Sequence, residues 1–153
     1  MGGYGQWLHD SVLGLRQGSG VAYEAMVVRP ELVAQPRLTR ASARYALPRG
    51  EVVLSWARGA LCAGEATGPA TFSLNVSVPV NSVARVTVPL GACGKGTITE
   101  SGAQVWPTAG VGEAAPAGFL SGERGGAQPD HLPDGIAAIT FDVGSGSYAF
   151  HAQ

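Results

Sequence analysis

Hydrophobic and polar positions alternate most cleanly over residues 72–90, FSLNVSVPVNSVARVTVPL. Phe72, Leu74, Val76 and Val78 fall on one face, with Ser73, Asn75 and Ser77 on the other. Beyond the corner Pro79-Val80-Asn81, Ala84, Val86 and Val88 oppose Val83, Arg85 and Thr87. A period of two with one apolar face predicts an antiparallel hairpin lying on a core. Strands are also predicted over 23–28, ending at Pro30, and over 41–47, ending at Pro48. The second of these turns through Pro48-Arg49-Gly50 into 51–56, where Val52, Leu54 and Trp56 share a face. Gly50 suits that turn because it adopts positive φ without a Cβ clash. Strands over 97–100, 136–143 and 147–152 bring the total to about eight, separated by turn signals, which predicts a mainly β chain folded as an antiparallel β-sandwich or jelly roll.

The one segment with a helical period stands at the start. Tyr4, Leu8, Val12 and Leu15 recur at i, i+4, i+8 and i+11, and Trp7 widens the stripe. This predicts a single N-terminal α-helix over 4–15. Gly14 and the run Gln17-Gly18-Ser19-Gly20 end it, since glycine accepts the left-handed conformation of a helix C-terminus. A helix so apolar is expected to pack on the following sheets or on a partner. His9 and Asp10 are adjacent in it, and adjacent helical residues point about 100° apart. They are read as two polar residues on the exposed side, not as an acid–base pair.

Composition narrows the function classes. With 153 residues, 45% hydrophobic and 14% charged, the chain has one domain's length and enough apolar side chains for a core. A net charge of -1 leaves no cationic footprint, so neither nucleic acid nor a membrane surface is expected as a partner. No apolar run approaches bilayer-spanning length. Twenty-three Gly and ten Pro suit a loop-rich β protein. MGGYGQWLHD has neither a basic nor an apolar leader region, so no secretory signal is read in this chain. No cofactor is implied.

Candidate chemistry is sparse. Cys62 and Cys93 lie in loops that a meander of strands would bring to one end of a sheet. A disulfide there would close a loop of about thirty residues and stabilise by about 3.5 kcal/mol on the chain-entropy model; two unrelated thiols fit equally well. Asn75-Val76-Ser77 fits the N-glycosylation sequon, with Asn75 on the outward face. Residues 107–135 are rich in Gly, Ala and Pro and are expected to form a long, poorly ordered loop, with Phe119-Leu120 as its one anchor. His131 lies between Asp130 and Asp134, but no strand or helix is expected there to converge them on a metal. Glu24, Glu51 and Glu100 are scattered over separate strands, with no convergent pair of carboxylates.

The ordered series of segments resembles one family. Tyr4-Gly5-Gln6-Trp7-Leu8 with Val12-Leu13-Gly14-Leu15 is similar to the last helix of the catalytic barrel in bacterial-type alpha-L-rhamnosidases, glycoside hydrolase family 78. The strand at 23–30, Leu38-Thr39 with Ala41 and Ala43, and Pro48, Gly50, Ser55 and Trp56 resemble the elements that follow that helix. So do residues 72–89 with Asn81 at the corner, Glu100-Ser101-Gly102, and Val143-Gly144-Ser145-Gly146 with Tyr148 and Phe150. The resemblance implies that 1–17 is the end of an (α/α)6 barrel and 18–153 a β-sandwich accessory domain. It further implies a barrel partner, in cis or as a separate chain, and a lean towards secretion. The family hydrolyses rhamnosides with inversion, using an acid–base pair of carboxylates. Those carboxylates belong to the barrel, so the resemblance implies no catalytic residue in this chain and no hydrolase activity of its own. A different class is a stand-alone carbohydrate-binding module for rhamnose-containing glycans, with Trp106, Tyr45 or Tyr148 stacking on a sugar. Trp7 and Trp56 are expected in the core.

Overall fold

The computed structural model describes all residues except 1–2, 32–34, 36, 60–70, 91–95, 108–117, 120–127 and 133–134. The chain begins with a short α-helix α1 (Gly3–Trp7), which continues as a π-helix (Leu8–Leu13). Eleven strands follow among the described residues: β1 (Leu15–Gln17), β2 (Ala25–Val28), β3 (Arg40–Leu47), β4 (Gly50–Arg58), β5 (Phe72–Val78), β6 (Val83–Pro89), β7 (Ile98–Glu100), β8 (Ala103–Trp106), β9 (Gln128–His131), β10 (Ala137–Val143) and β11 (Gly146–Ala152). They form a five-stranded sheet, β1-β2-β6-β10-β9, and a six-stranded sheet, β3-β4-β5-β11-β7-β8. Neighbours are antiparallel except β2 and β6, which run parallel.

The alternating segment at 72–90 is two strands, as its pattern predicts, but not a hairpin. β5 pairs with β4 and β11 in the larger sheet, whereas β6 pairs with β2 and β10 in the smaller one. The corner holds Asn81 at φ 57 and closes with a Ser82 N–H bond to the Pro79 carbonyl at 3.2 Å. The chain thus arches from one sheet to the other. The terminal strands repeat the move, because β10 lies beside β6 and β11 beside β5. Each arch therefore supplies one central strand to each sheet. The strands at 41–47 and 51–56 do pair as a hairpin, with Leu47 opposite Gly50.

Burial follows the alternation. Strand β5 reads buried at Phe72, Leu74, Val76 and Val78, and β4 buries Val52, Leu54 and Trp56. One hydrophobic cluster takes residues from both sheets. Across it Phe141 of β10 stacks on Phe150 of β11 with centroids 5.3 Å apart, an inter-sheet contact of large rings. Outside the core, Thr87 and Thr140 bond to each other at 2.9 Å on the smaller sheet, so their burial leaves no orphan hydroxyl.

The N-terminal helix departs from the prediction of an α-helix over 4–15. Gly14 takes φ 82 and its N–H bonds to the His9 carbonyl at 3.0 Å, a π-type closure. A Cβ at Gly14 would run into the Arg29 carbonyl, so only glycine lets the helix end against the strand beside it. Leu15 then starts β1 and is buried. Within 107–135 the structure also differs from a wholly irregular loop. β9 pairs with β10 over 128–131, and Phe119 makes an isolated bridge to Val143 and sits edge-on to Phe141, Tyr148 and Phe150. Leu120 lies outside the described residues. No helix among the described residues is long and apolar enough to cross a membrane.

Candidate functional site

The N-terminal segment is half docked and half free. Its second half is tied down: Trp56 Nε1 donates to the Val12 carbonyl at 2.9 Å, Glu31 N–H to the Ser11 carbonyl at 3.2 Å, and Leu13 is buried. Its first half, α1, buries nothing. Tyr4 is 80% exposed, Trp7 46% and Leu8 40%. Their spacing of three and four residues puts them on one side of the helix, and the rings of Tyr4 and Trp7 lie 6.0 Å apart. Large apolar side chains grouped on one exposed face mark a surface made for a partner. Trp7, expected in the core, is instead part of that face, on a helix that buries none of its residues.

The opposite side of the segment turns towards β3. There His9 Nδ1 and the Tyr45 hydroxyl share a hydrogen bond of 2.9 Å, with the rings edge to face at 5.0 Å. Gln6, Asp10, Tyr23 and Leu15 border the same open cleft of about 460 Å³. Burial pushes the Tyr45 hydroxyl up to about 12, with smaller contributions from Tyr23 and Asp10. Tyr45 therefore stays protonated at neutral pH. Ala22 and Tyr23 occupy consecutive left-handed positions, φ 52 and 58, on the approach to β2. Nothing in the sequence signals that pair of dihedrals, and Tyr23, Gln6 and the cleft itself were invisible to periodicity.

The other sequence candidates are dispersed. Tyr148 is 5% exposed, and its hydroxyl lies 3.1 Å from the Gly144 carbonyl and 3.2 Å from that of Gly118. Burial, and then the nearby Glu100, holds its hydroxyl above the usual tyrosine range. Trp106 ends edge strand β8 opposite Ile98 and is half-buried against the core. Asn75 is exposed on the outer face of β5. Cys62 and Cys93 lie outside the described residues, and so does Asp134. Asp130 is engaged by Arg29 at 2.7 Å and by the His131 N–H at 2.7 Å. Among the described residues no group of three or more His, Cys, Asp or Glu is placed to hold a metal ion. Glu24 pairs with Arg49, Glu51 with Arg44, and the buried Glu100 accepts from the Ser101 hydroxyl at 2.6 Å. Each carboxylate has its own neighbour.

Residues 14–103 match the model of the bacterial alpha-L-rhamnosidase C-terminal domain. The chain belongs to this family. Solved structures agree in fold. The alpha-L-rhamnosidase from Dictyoglumus thermophilum is 24% identical with a TM-score of 0.65, covering 99% of this chain and 13% of its own. The Streptomyces avermitilis alpha-L-rhamnosidase, complexed with L-rhamnose, gives 25%, 0.58, 99% and 11% for the same quantities. The Aspergillus terreus enzyme gives 20%, 0.54, 98% and 11%. No curated protein matches by sequence. The chain thus spans only a small part of the solved relatives it resembles. The matched residues begin at Gly14, where the helix meets the sheets, and end at Ala103, the first residue of β8.

Proposed function

We propose that this chain is the accessory β-sandwich of an alpha-L-rhamnosidase-like glycoside hydrolase, closing over a helical catalytic barrel and performing no hydrolysis itself. In this reading residues 1–17 are the end of the barrel and 18–153 the accessory domain, with the two sheets as the layers of a sandwich of jelly-roll type. The observation that carries it is the exposed Tyr4, Trp7 and Leu8 face on a helix whose other end is anchored in the sheets. Fully covering such side chains contributes about 1.5–3 kcal/mol apiece, enough for a few of them to fix a domain against a neighbour. The relatives support the reading by their length, since each carries most of its chain outside the region matched here. Among the described residues Glu24, Glu51 and Glu100 each have a separate partner, whereas glycoside hydrolysis needs two acidic groups flanking one bond. A secreted bacterial setting goes with the family.

A second reading, a stand-alone sugar-binding module, draws on the half-buried Trp106 and on Tyr45. As an account of the whole chain it is weaker, because Tyr148 has no open ring face and the exposed Tyr4, Trp7 and Leu8 are left without a role. Incubating the purified chain with an aryl alpha-L-rhamnoside tests the non-catalytic reading. No release of the aryl alcohol above the buffer rate is expected, and turnover abolished by substituting a carboxylate of this chain would overturn it.

A further inference from the structure

We propose that the cleft between the N-terminal helix and β3 is a binding site for one neutral sugar ring, with Tyr23 and Tyr45 as its apolar walls and Gln6, His9 and Asp10 as its polar contacts. The cleft, of about 460 Å³, falls in the range of roughly 300–1,000 Å³ typical of small-ligand sites. Its chemistry is mixed in the way a polyol requires. Asp10 accepts, Gln6 both donates and accepts, and the tyrosine hydroxyls can do either. Among the described residues no Lys or Arg borders it and Asp10 is its one carboxylate, so phosphates and acidic ligands are disfavoured.

Two further observations point to a ligand. Ala22 and Tyr23 both hold left-handed backbone conformations that non-glycine residues seldom adopt, and such strain gathers where a side chain must be aimed. The Tyr45 hydroxyl is already oriented by His9, which removes part of the ordering cost of binding. The cleft residues 5, 6, 9 and 10 alternate along the helix with the exposed Tyr4, Trp7 and Leu8. A partner covering the apolar face leaves the cleft side open, so the site does not depend on the accessory-domain reading.

Gly5 supplies a clean test, since a Cβ there meets no atom within 4 Å and its backbone is not left-handed. Gly5→Leu fills the cleft without disturbing the fold and raises helix propensity. Amide NMR spectra of the full chain would be titrated with L-rhamnose, D-glucose and D-galactose, and separately with tetramethylammonium. Saturable shifts at residues 5–10, 23 and 45 are expected with at least one sugar. Asp10→Ala should weaken the response about tenfold to a hundredfold, and Gly5→Leu should remove it while the rest of the spectrum stays unchanged. Three results would overturn the proposal: no saturable shift with any of the sugars, shifts that survive Gly5→Leu, or saturation by tetramethylammonium alone.

Discussion

The Tyr148 hydroxyl reaches the carbonyls of both Gly144 and Gly118, while its ring stacks on Phe150 at 6.3 Å and meets Phe119 edge-on. A single phenol thereby joins the β10–β11 corner to Gly118, in the long connection before β9. Gly144 N–H bonds the same Gly118 carbonyl at 2.8 Å, so that oxygen stays satisfied if the phenol is lost. Tyr148→Phe should then lower stability by only about 1 kcal/mol in urea unfolding. Gly118→Ala should do more, about 2 kcal/mol or above, because φ 95 disfavours alanine and its Cβ would collide with the Tyr148 hydroxyl. Equal losses from the two substitutions would contradict this assignment of roles. Tyr45 carries a pH signature. Its folded value of about 12 exceeds the ordinary 10.0, so the folded chain keeps a proton that the unfolded chain has lost. That contribution is complete below pH 10 and disappears as pH rises through about 12. Tyrosinate absorbance should rise late, and Tyr45→Phe should reduce that late rise, leaving the part that belongs to Tyr148. Tyr148 was legible in part: Tyr148, Phe150 and Ala152 share a parity along β11, and that parity is the inward one. Its partners were not, since they come from Gly118 and Gly144, and periodicity carries no tertiary contact.

At the scale of elements, alternation located most of the strands but not their neighbours. Period two is the same whether the next strand pairs with the last or crosses to the opposite sheet, since both bury one face. Residues 72–90 therefore read as a hairpin and fold as an arch. The corner itself holds the difference, with Asn81 in the left-handed region that asparagine tolerates better than other non-glycine residues. Asn81→Gly should be nearly neutral, and Asn81→Val should cost about 1–2 kcal/mol, read as a shift in the urea midpoint. A neutral valine variant would mean that the corner is not strained. β1, β8 and β9 escaped the sequence reading because three or four residues carry too little period. They exist because β2, β7 and β10 offer them an edge. The helix was legible as an amphipathic stretch, and so was its stop at Gly14, but its change to π geometry and the close approach of Arg29 to Gly14 were not, since both depend on the fold around them.

At the scale of the whole molecule, two sheets share one core and a short helix projects from it with its apolar side bare. The ordered series of segments was enough to name the family from sequence, because each matches a turn or core position. The cleft beside Tyr45 was not legible, since its walls come from helix, turn and strand. The measurement that bears most directly on the accessory-domain role is a calorimetric titration. The chain would be added to an (α/α)6 alpha-L-rhamnosidase barrel of the same genome, freed of its own C-terminal domain. Saturable 1:1 binding with Kd of about 1 µM or tighter is expected, weakened about a hundredfold or more by Trp7→Glu with Leu8→Glu. Those substitutions lie outside the core, so the variant should remain folded. Absence of binding, or binding unchanged by the double substitution, would contradict the helix-borne interface.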